Sequence, residues 1–157
     1  MFERFSREAR KAVTAAVQEA EGRGDAYVGT EHLLIGVVAS AAPGTNLTGV
    51  SVDMLRDACA AIDQAALTAT GIEADLAMDP PSRRRGHLPF TGGAKQVLKD
   101  TLREAIEMGS RRLDPEHIMI ALTLRPPRDA AIRLLEQAGL YPDAIRVDLI
   151  QSMRRSA

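Results

Sequence analysis

The 157-residue sequence has no tryptophan, one cysteine and five aromatic residues in all. The single cysteine, Cys59, excludes an internal disulfide and favours a reducing, cytoplasmic compartment. So few aromatic rings argue against the stacking platforms that bind single-stranded nucleic acid. A formal net charge of −1 gives no overall attraction to nucleic acid or to an acidic membrane, so any basic recognition has to be local. Because no apolar run is long enough to cross a bilayer, we expect a soluble chain.

Helix-forming residues dominate the composition. The sequence contains 25 alanines, and its apolar fraction of 45% is enough for one core of ordinary size. Apolar residues recur three and four positions apart in the stretches 9–20 and 94–106, whereas alternation with period two is almost absent. The sequence therefore predicts an all-α fold in a single domain over residues 1–157.

The chain also contains an internal duplication. A shift of 85 positions aligns 33 residues, 5–37 with 90–122, and gives eight identities, among them Phe5 over Phe90 and the pair Glu31-His32 over Glu116-His117. The register resumes at a shift of 90, where Gly49 lies over Gly139. We assign repeat one to about 1–78, a linker to 79–86 and repeat two to about 87–153. The linker is rich in proline and charge, which is typical of a solvent-exposed connection.

Each repeat is predicted to contain four helical segments, one of them eroded. Ser6 and Thr91 are N-cap residue types for the first helices, and Asp114-Pro115 is a strong start signal for a second helix. The predicted helices are 6–22, 30–39 and 52–69 in repeat one, and 91–108, 114–124, 129–138 and 142–153 in repeat two. The remaining segment, 40–48, contains proline, glycine and asparagine, so we expect it to be short or unwound.

The residues that could carry catalysis or bind a metal do not form a recognisable set. His32 and His117 each follow a glutamate, but neighbouring helical residues point about 100° apart and the Glu-x-x-His spacing of helical metal sites is not met. We expect local hydrogen bonds for both rings and a buried structural thiol for Cys59. No nucleophile, base and orienting group occur together, so the sequence favours a protein that is not an enzyme and needs no metal or cofactor.

Three segments resemble a known family. They are Met1-Phe-Glu-Arg-Phe-Ser6, Val28-Gly-Thr-Glu-His-Leu-Leu-Ile-Gly36, and His87-Leu-Pro-Phe-Thr91 followed by Ala94-Lys95. The sequence is similar over nearly its whole length to the Clp N-terminal repeat domain of the Hsp100 unfoldases, and most similar to the ClpC type. The resemblance implies two pseudo-symmetric repeats with about eight helices, and a module that receives substrates and adaptors for the Clp protease machinery. No phosphate-binding loop for ATP is present, so the chain is either a stand-alone relative or a piece of a larger protein.

The resemblance also implies specific ligands. In ClpC proteins the module binds phosphoarginine-marked proteins, which would place the guanidinium on Glu31 and Glu116. Helix stability alone also favours a carboxylate in the first turn. The alternative interpretation is therefore that Glu31 and Glu116 only stabilise their helices. The residues that would assist phosphate binding by this resemblance are Thr30, Arg4, Ser6, Thr91 and Lys95. In actinobacteria the family also docks cyclic peptide antibiotics.

The sequence departs from the family pattern mainly in repeat two. Asp114-Pro115 replaces the usual Gly-Thr and adds a negative charge, and Gly92-Gly93 replaces proline and arginine. Repeat one keeps Gly29-Thr30-Glu31-His32 whole. We therefore expect the site of repeat one to be the better phosphoarginine site.

Two further surfaces compete with this interpretation. Phe2, Phe90, Lys95 and Lys99 form a candidate patch for adaptors or cyclic peptides, although both phenylalanines could instead fasten helix ends to the core. A decoy that sequesters cyclic peptides or competes for adaptors is the alternative function. The run Arg83 to Arg85, with Arg154-Arg155, is the basis of a third hypothesis, an α-helical nucleic-acid binder. The net charge of −1 argues against it.

Overall fold

The computed structural model describes residues 2–41, 47, 49–69 and 88–156. The described residues form a short 3₁₀ turn at Phe2–Arg4 and seven α-helices: α1 (Arg7–Arg23), α2 (Thr30–Ala39), α3 (Val52–Ala69), α4 (Gly92–Glu107), α5 (Pro115–Thr123), α6 (Ala130–Gln137) and α7 (Pro142–Ser156). The predicted all-α class is confirmed. The helix α7 runs three residues beyond its predicted end at Met153.

The helix starts follow the duplication. The first residues of α1 and α4, and those of α2 and α5, are 85 positions apart, while those of α3 and α7 are 90 apart. Most of the segment 40–48, predicted to be short or unwound, and the whole linker 79–86 with Arg83 to Arg85 lie outside the described residues.

Capping residues set several of these boundaries, as the sequence predicts. Ser6 accepts a hydrogen bond from the Ala9 amide, and Thr91 accepts one from the Ala94 amide, both at 3.1 Å. The helix α1 ends at Gly24, whose φ of 73° lies in the left-handed region that glycine tolerates.

The two central helices, α2 and α5, are apolar on nearly all sides and are buried accordingly. They contact each other, and the buried residues of both repeats belong to one continuous hydrophobic cluster. Among the described residues, none of the helices combines the length and apolar character that a membrane span requires.

The two repeats do not pack their first helices equally closely. A Cβ at Gly36 of α2 would lie within 3 Å of the α1 backbone at Ala12 and Ala16, so α1 and α2 approach to backbone contact. The equivalent of Gly36 in repeat two is Ala121, and α4 packs less extensively on α5. The glycine therefore permits the tighter packing of repeat one.

Two short backbone pairings cross between the repeats. The Ser6 amide donates to the Leu113 carbonyl and the Leu113 amide donates to the Arg4 carbonyl, both at 2.9 Å. This pairing puts the start of α1 beside the start of α5.

The equivalent pairing joins the other two helix starts. The Val28 amide donates to the Pro89 carbonyl at 2.8 Å, and the Thr91 amide donates to the Val28 carbonyl at 3.0 Å. The start of α4 therefore lies beside the start of α2. Each helix that carries a candidate glutamate meets the first helix of the opposite repeat.

Candidate functional site

The two candidate glutamates lie in the first turns of α2 and α5, at two junctions built by the crosswise pairing. We call the junction around Glu31 site one and the junction around Glu116 site two. Site one combines Glu31 with the α4 start, at Thr91 and Lys95. Site two combines Glu116 with the α1 start, at Arg4 and Ser6.

A histidine closes the first turn at both sites. The Gly29 amide donates to His32 Nδ1, and the Asp114 amide donates to His117 Nδ1, each at 2.9 Å. The histidine therefore takes the position that Glu or Gln occupies in an ordinary capping box, three residues after the N-cap. Since each Nδ1 accepts a hydrogen bond, a neutral ring carries its proton on Nε2.

The second nitrogen of these rings differs between the repeats. His32 Nε2 lies 2.7 Å from Asp25 Oδ2, whereas the buried His117 Nε2 has no hydrogen-bond partner among the described residues. The residue equivalent to Asp25 is Ser110, whose hydroxyl donates to the Arg112 carbonyl. Burial lowers the pKa of His117, although nearby carboxylates oppose this shift. We expected local hydrogen bonds for both rings. Both ring nitrogens of His32 form them, whereas only one ring nitrogen of His117 does.

The carboxylate of Glu31 folds back over the start of its own helix. A Cβ at Gly29 would lie within 3 Å of this carboxylate, so glycine leaves the space that it occupies. Glu31 Oε1 is 3.5 Å from His32 Nδ1. That nitrogen already accepts a hydrogen bond from the Gly29 amide, so it does not form an ion pair with Glu31. The Glu31 side chain keeps 21% exposure and can therefore reach a ligand.

Thr30 takes part in the fold at site one. Its buried hydroxyl donates to Asp129 Oδ1 at 2.6 Å and accepts from the Ala131 amide at 3.2 Å, which connects α2 to the start of α6. Both of these hydrogen bonds hold the two repeats together. A role of Thr30 in phosphate binding stays a prediction.

Helix starts and one ion pair make up the remainder of site one. A Cβ at Gly93 would lie 3.5 Å from both Thr30 Cγ2 and Asp129 Oδ2 and 3.6 Å from Arg125 Nη2, so α4, α2 and the α5–α6 connection converge there. Arg125 Nε is 2.9 Å from Asp129 Oδ2. The amides of Gly92 and Gly93 belong to the first turn of α4 and have no intrahelical acceptor. Such amides, together with a nearby guanidinium, can bind an anion.

Site two is an acidic cleft of about 180 Å³. Its walls contain three carboxylates, those of Glu8, Asp114 and Glu116, together with Ser40 and Leu47. Glu8 is the equivalent of Gly93, and Asp114 is the equivalent of Gly29. The cleft favours a cation and opposes phosphate, as the sequence departures at 114–115 indicate.

The proposed phosphate-side residues have different environments. Ser6 is buried and Thr91 half-buried, and both hydroxyls cap their helices. Arg4 and Lys95 are exposed. At the helix starts, the side chains most open to a ligand are therefore the two cations.

The candidate aromatic patch lies partly within the described residues. The side chain of Phe2 lies outside the described residues, and Lys95 and Lys99 are exposed on α4. Phe90 is half-buried and packs on the core, whereas its equivalent Phe5 is buried. The contact of Phe90 with the core agrees with a fastening role and leaves part of its ring accessible.

Cys59 is buried in α3, and burial raises the pKa of its thiol. In the part of the chain that the structure describes, no group of three His, Cys, Asp or Glu side chains is arranged so that it could hold a metal ion. Arg125, Asp129 and Glu8 are the site residues that sequence reasoning missed. The sequence could have indicated only Glu8, because the alignment at a shift of 85 positions puts it opposite Gly93.

Sequence comparison finds one matching family model, the Clp repeat N-terminal domain, at residues 3–48. The chain is 32% identical over 163 aligned residues to the chloroplastic chaperone protein ClpC1 of Oryza sativa, which covers 99% of this chain and 16% of that protein. It is equally similar to the chloroplastic chaperone protein ClpC of Pisum sativum, with 32% identity over 164 residues. The chain thus spans about a sixth of the length of these relatives.

Solved structures agree with the fold. The N-terminal domain of the chaperone ClpD from Arabidopsis thaliana has a TM-score of 0.75 at 24% identity, covering 98% of this chain and 97% of that one. The N-terminal domain of Hsp104 from Candida albicans has a TM-score of 0.60 at 17% identity, covering 95% and 91%.

Proposed function

The chain belongs to the Clp repeat N-terminal domain family, and from this premise we propose that it is a non-enzymatic recognition module of the Clp unfoldase and protease system. Its ligands are protein segments that bear phosphoarginine or that adaptors present. The partners are such marked proteins, Clp adaptors and the ClpC and ClpP machinery. No cofactor is needed for this function.

One observation carries the proposal: each first-turn carboxylate lies at a junction with the start of a helix from the opposite repeat. Phosphoarginine is a guanidinium bonded directly to a phosphate, so its receptor needs a carboxylate and an anion-binding group side by side. A carboxylate binds the guanidinium through paired charge-assisted hydrogen bonds, and the amides of a helix start bind phosphate. A junction of this type brings a carboxylate and a helix start together.

The surroundings favour site one over site two. At site one the first turn of α4 at Gly92 and Gly93 is open, Lys95 is exposed, and Arg125 lies beside Gly93 in an ion pair with Asp129. Around Glu116 the neighbours include two further carboxylates, Glu8 and Asp114. We therefore propose that site one binds phosphoarginine and that site two contributes weakly.

Calorimetric titration with free phosphoarginine tests this proposal. We expect binding in the wild type, a loss of about tenfold or more in affinity for Glu31→Gln, and a smaller loss for Glu116→Gln. Glu136→Gln, on the exposed face of α6, is the control and should bind as the wild type does. Unmodified arginine should bind more weakly than phosphoarginine.

The proposal is contradicted if the wild type binds no phosphoarginine at millimolar concentration. It is also contradicted if Glu31→Gln and Glu136→Gln retain the same affinity. Circular dichroism of each variant shows whether a loss of binding reflects a loss of fold.

The incomplete burial of Phe90 favours a second candidate function, a decoy that binds cyclic peptides or competes for adaptors. The accessible part of Phe90 and the exposed Lys95 and Lys99 of the following helix would form such a patch. Phe90→Ala should then abolish cyclic peptide binding and leave phosphoarginine binding intact. Equal cyclic peptide affinity in Phe90→Ala and the wild type would remove this candidate.

A further inference from the structure

A cationic groove runs along α1, next to site two and separate from either glutamate. It has a volume of about 440 Å³, which lies in the range of ligand-binding clefts. Three cations, Arg7, Arg10 and Lys11, line it together with Gln18 and Ser40. We call it the α1 groove.

The cations of the α1 groove lie on one face of the helix. Arg7, Arg10 and Lys11 are spaced three and four residues apart, so their side chains project on the same side. All three are exposed. The opposite wall contains Ser40, at the C-terminal end of α2.

The fold itself does not account for the charges of Arg7 and Lys11. Arg7 is the first residue of α1, where the helix dipole disfavours a cation. Neither Arg7 nor Lys11 has an ion pair with any carboxylate that the structure describes. Residues that oppose the stability of their own helix are expected at functional positions.

The neighbouring cleft indicates which kind of anion fits. Ser40 lines both the α1 groove and the acidic cleft of site two, so the two lie next to each other. A nucleic acid, with a phosphate at every step, would be repelled by Glu8, Asp114 and Glu116 as it left the groove. A peptide can change from acidic to neutral or basic residues along its length and avoid this repulsion.

We propose that the α1 groove docks an acidic stretch of a partner protein in extended conformation. Its Asp or Glu side chains pair with the guanidinium groups of Arg7 and Arg10 and with the ammonium group of Lys11. The inference does not rest on phosphoarginine binding, because the groove contains neither Glu31 nor Glu116.

Fluorescence anisotropy with a labelled peptide that contains a run of glutamates tests the proposal. The variant is Arg7→Glu with Lys11→Glu, and a first-turn glutamate agrees with the helix dipole, so α1 should still form. We expect this variant to lose about tenfold or more in affinity, and the wild type to bind more weakly as salt is raised. The matched control, Arg154→Glu with Arg155→Glu, makes the same charge change at the exposed end of α7 and should lose less than about twofold.

Two results would overturn the proposal. One is equal loss of affinity in the groove variant and the α7 control, which would indicate a general effect of net charge. The other is a DNA duplex that binds the wild type as tightly as the glutamate peptide at the same ionic strength and depends on the same residues. A loss of phosphoarginine binding in Glu31→Gln would affect neither result, so the two proposals fail separately.

Discussion

Replacing Asp25 with serine should destabilise repeat one, because it gives His32 the environment that His117 already has. His32 is fully buried, and its Nε2 donates to Asp25 Oδ2 at 2.7 Å. Serine at position 25 would leave this buried donor without its charged acceptor. A buried hydrogen bond to a charged group contributes about 1.5–3 kcal/mol, and water can partly replace an acceptor that is 34% exposed.

We therefore expect Asp25→Ser to lower the free energy of unfolding by about 2 kcal/mol. For a chain of this size that corresponds to a fall of about 4–8 °C in Tm. Urea denaturation followed by circular dichroism measures the change. Asp63→Ser is the control. Asp63 also pairs with Arg23, through an exposed ion pair, but does not touch His32. This variant should therefore lower the free energy of unfolding by less than about 1 kcal/mol.

The reverse change is the complementary test. Ser110→Asp supplies repeat two with the acceptor that His117 lacks, and it should raise both the free energy of unfolding and the pKa of His117, which NMR titration measures. The reasoning is refuted if Asp25→Ser is no more destabilising than Asp63→Ser, or if Ser110→Asp leaves the pKa of His117 unchanged.

Three further changes probe other contacts. Gly36→Ala should cost about 3 kcal/mol or more in thermal denaturation, because its Cβ would collide with the α1 backbone; wild-type stability would contradict the close approach. Because burial lowers the pKa of His117, the unfolded chain takes up the proton first, so stability is complete above about pH 6.5 and falls as the pH is lowered. The urea midpoints at pH 7 and pH 5 measure this fall in stability. The fall should be smaller in His117→Gln, whose amide can still cap the helix. An equal fall in that variant would contradict the assignment of the pH dependence to His117. Thr30→Val should cost about 1–2 kcal/mol by removing the bond to Asp129, whereas Thr68→Val, at an exposed hydroxyl, should be nearly neutral; equal costs would show that the Thr30 bond contributes nothing.

Local signals in the sequence were sufficient to predict the helices. The caps Ser6 and Thr91 and the pair Asp114-Pro115 act within one helical turn, so they determine helix starts without knowledge of the rest of the fold. The duplication extended these assignments from one repeat to the other.

The way in which the helix starts combine could not be predicted from the sequence. The pairings of Phe5 with Leu113 and of Val28 with Phe90 join segments far apart in the chain, and nothing in either segment specifies its partner. The same applies to the hydrogen bond between Thr30 and Asp129, which are 99 positions apart. The family resemblance assigned Thr30 to phosphate binding, and it could not indicate that the hydroxyl also joins the two repeats.

The histidine caps were missed for a different reason. A capping box is usually recognised by Glu or Gln three residues after the N-cap, and His32 and His117 occupy that position with a ring nitrogen instead. The sequence therefore predicts local hydrogen bonds for both rings without identifying the backbone amides that donate to them. In both repeats the histidine closes the helix start and leaves the glutamate available for binding.

The central claim is that site one, which combines elements of both repeats, binds phosphoarginine. A heteronuclear NMR titration of the backbone amides with free phosphoarginine tests it most directly. We predict saturable shifts that occur together at 29–31 and at 92–93, and that are absent in Glu31→Gln. Shifts confined to one of these segments, or no shift at either at millimolar phosphoarginine, would contradict the account.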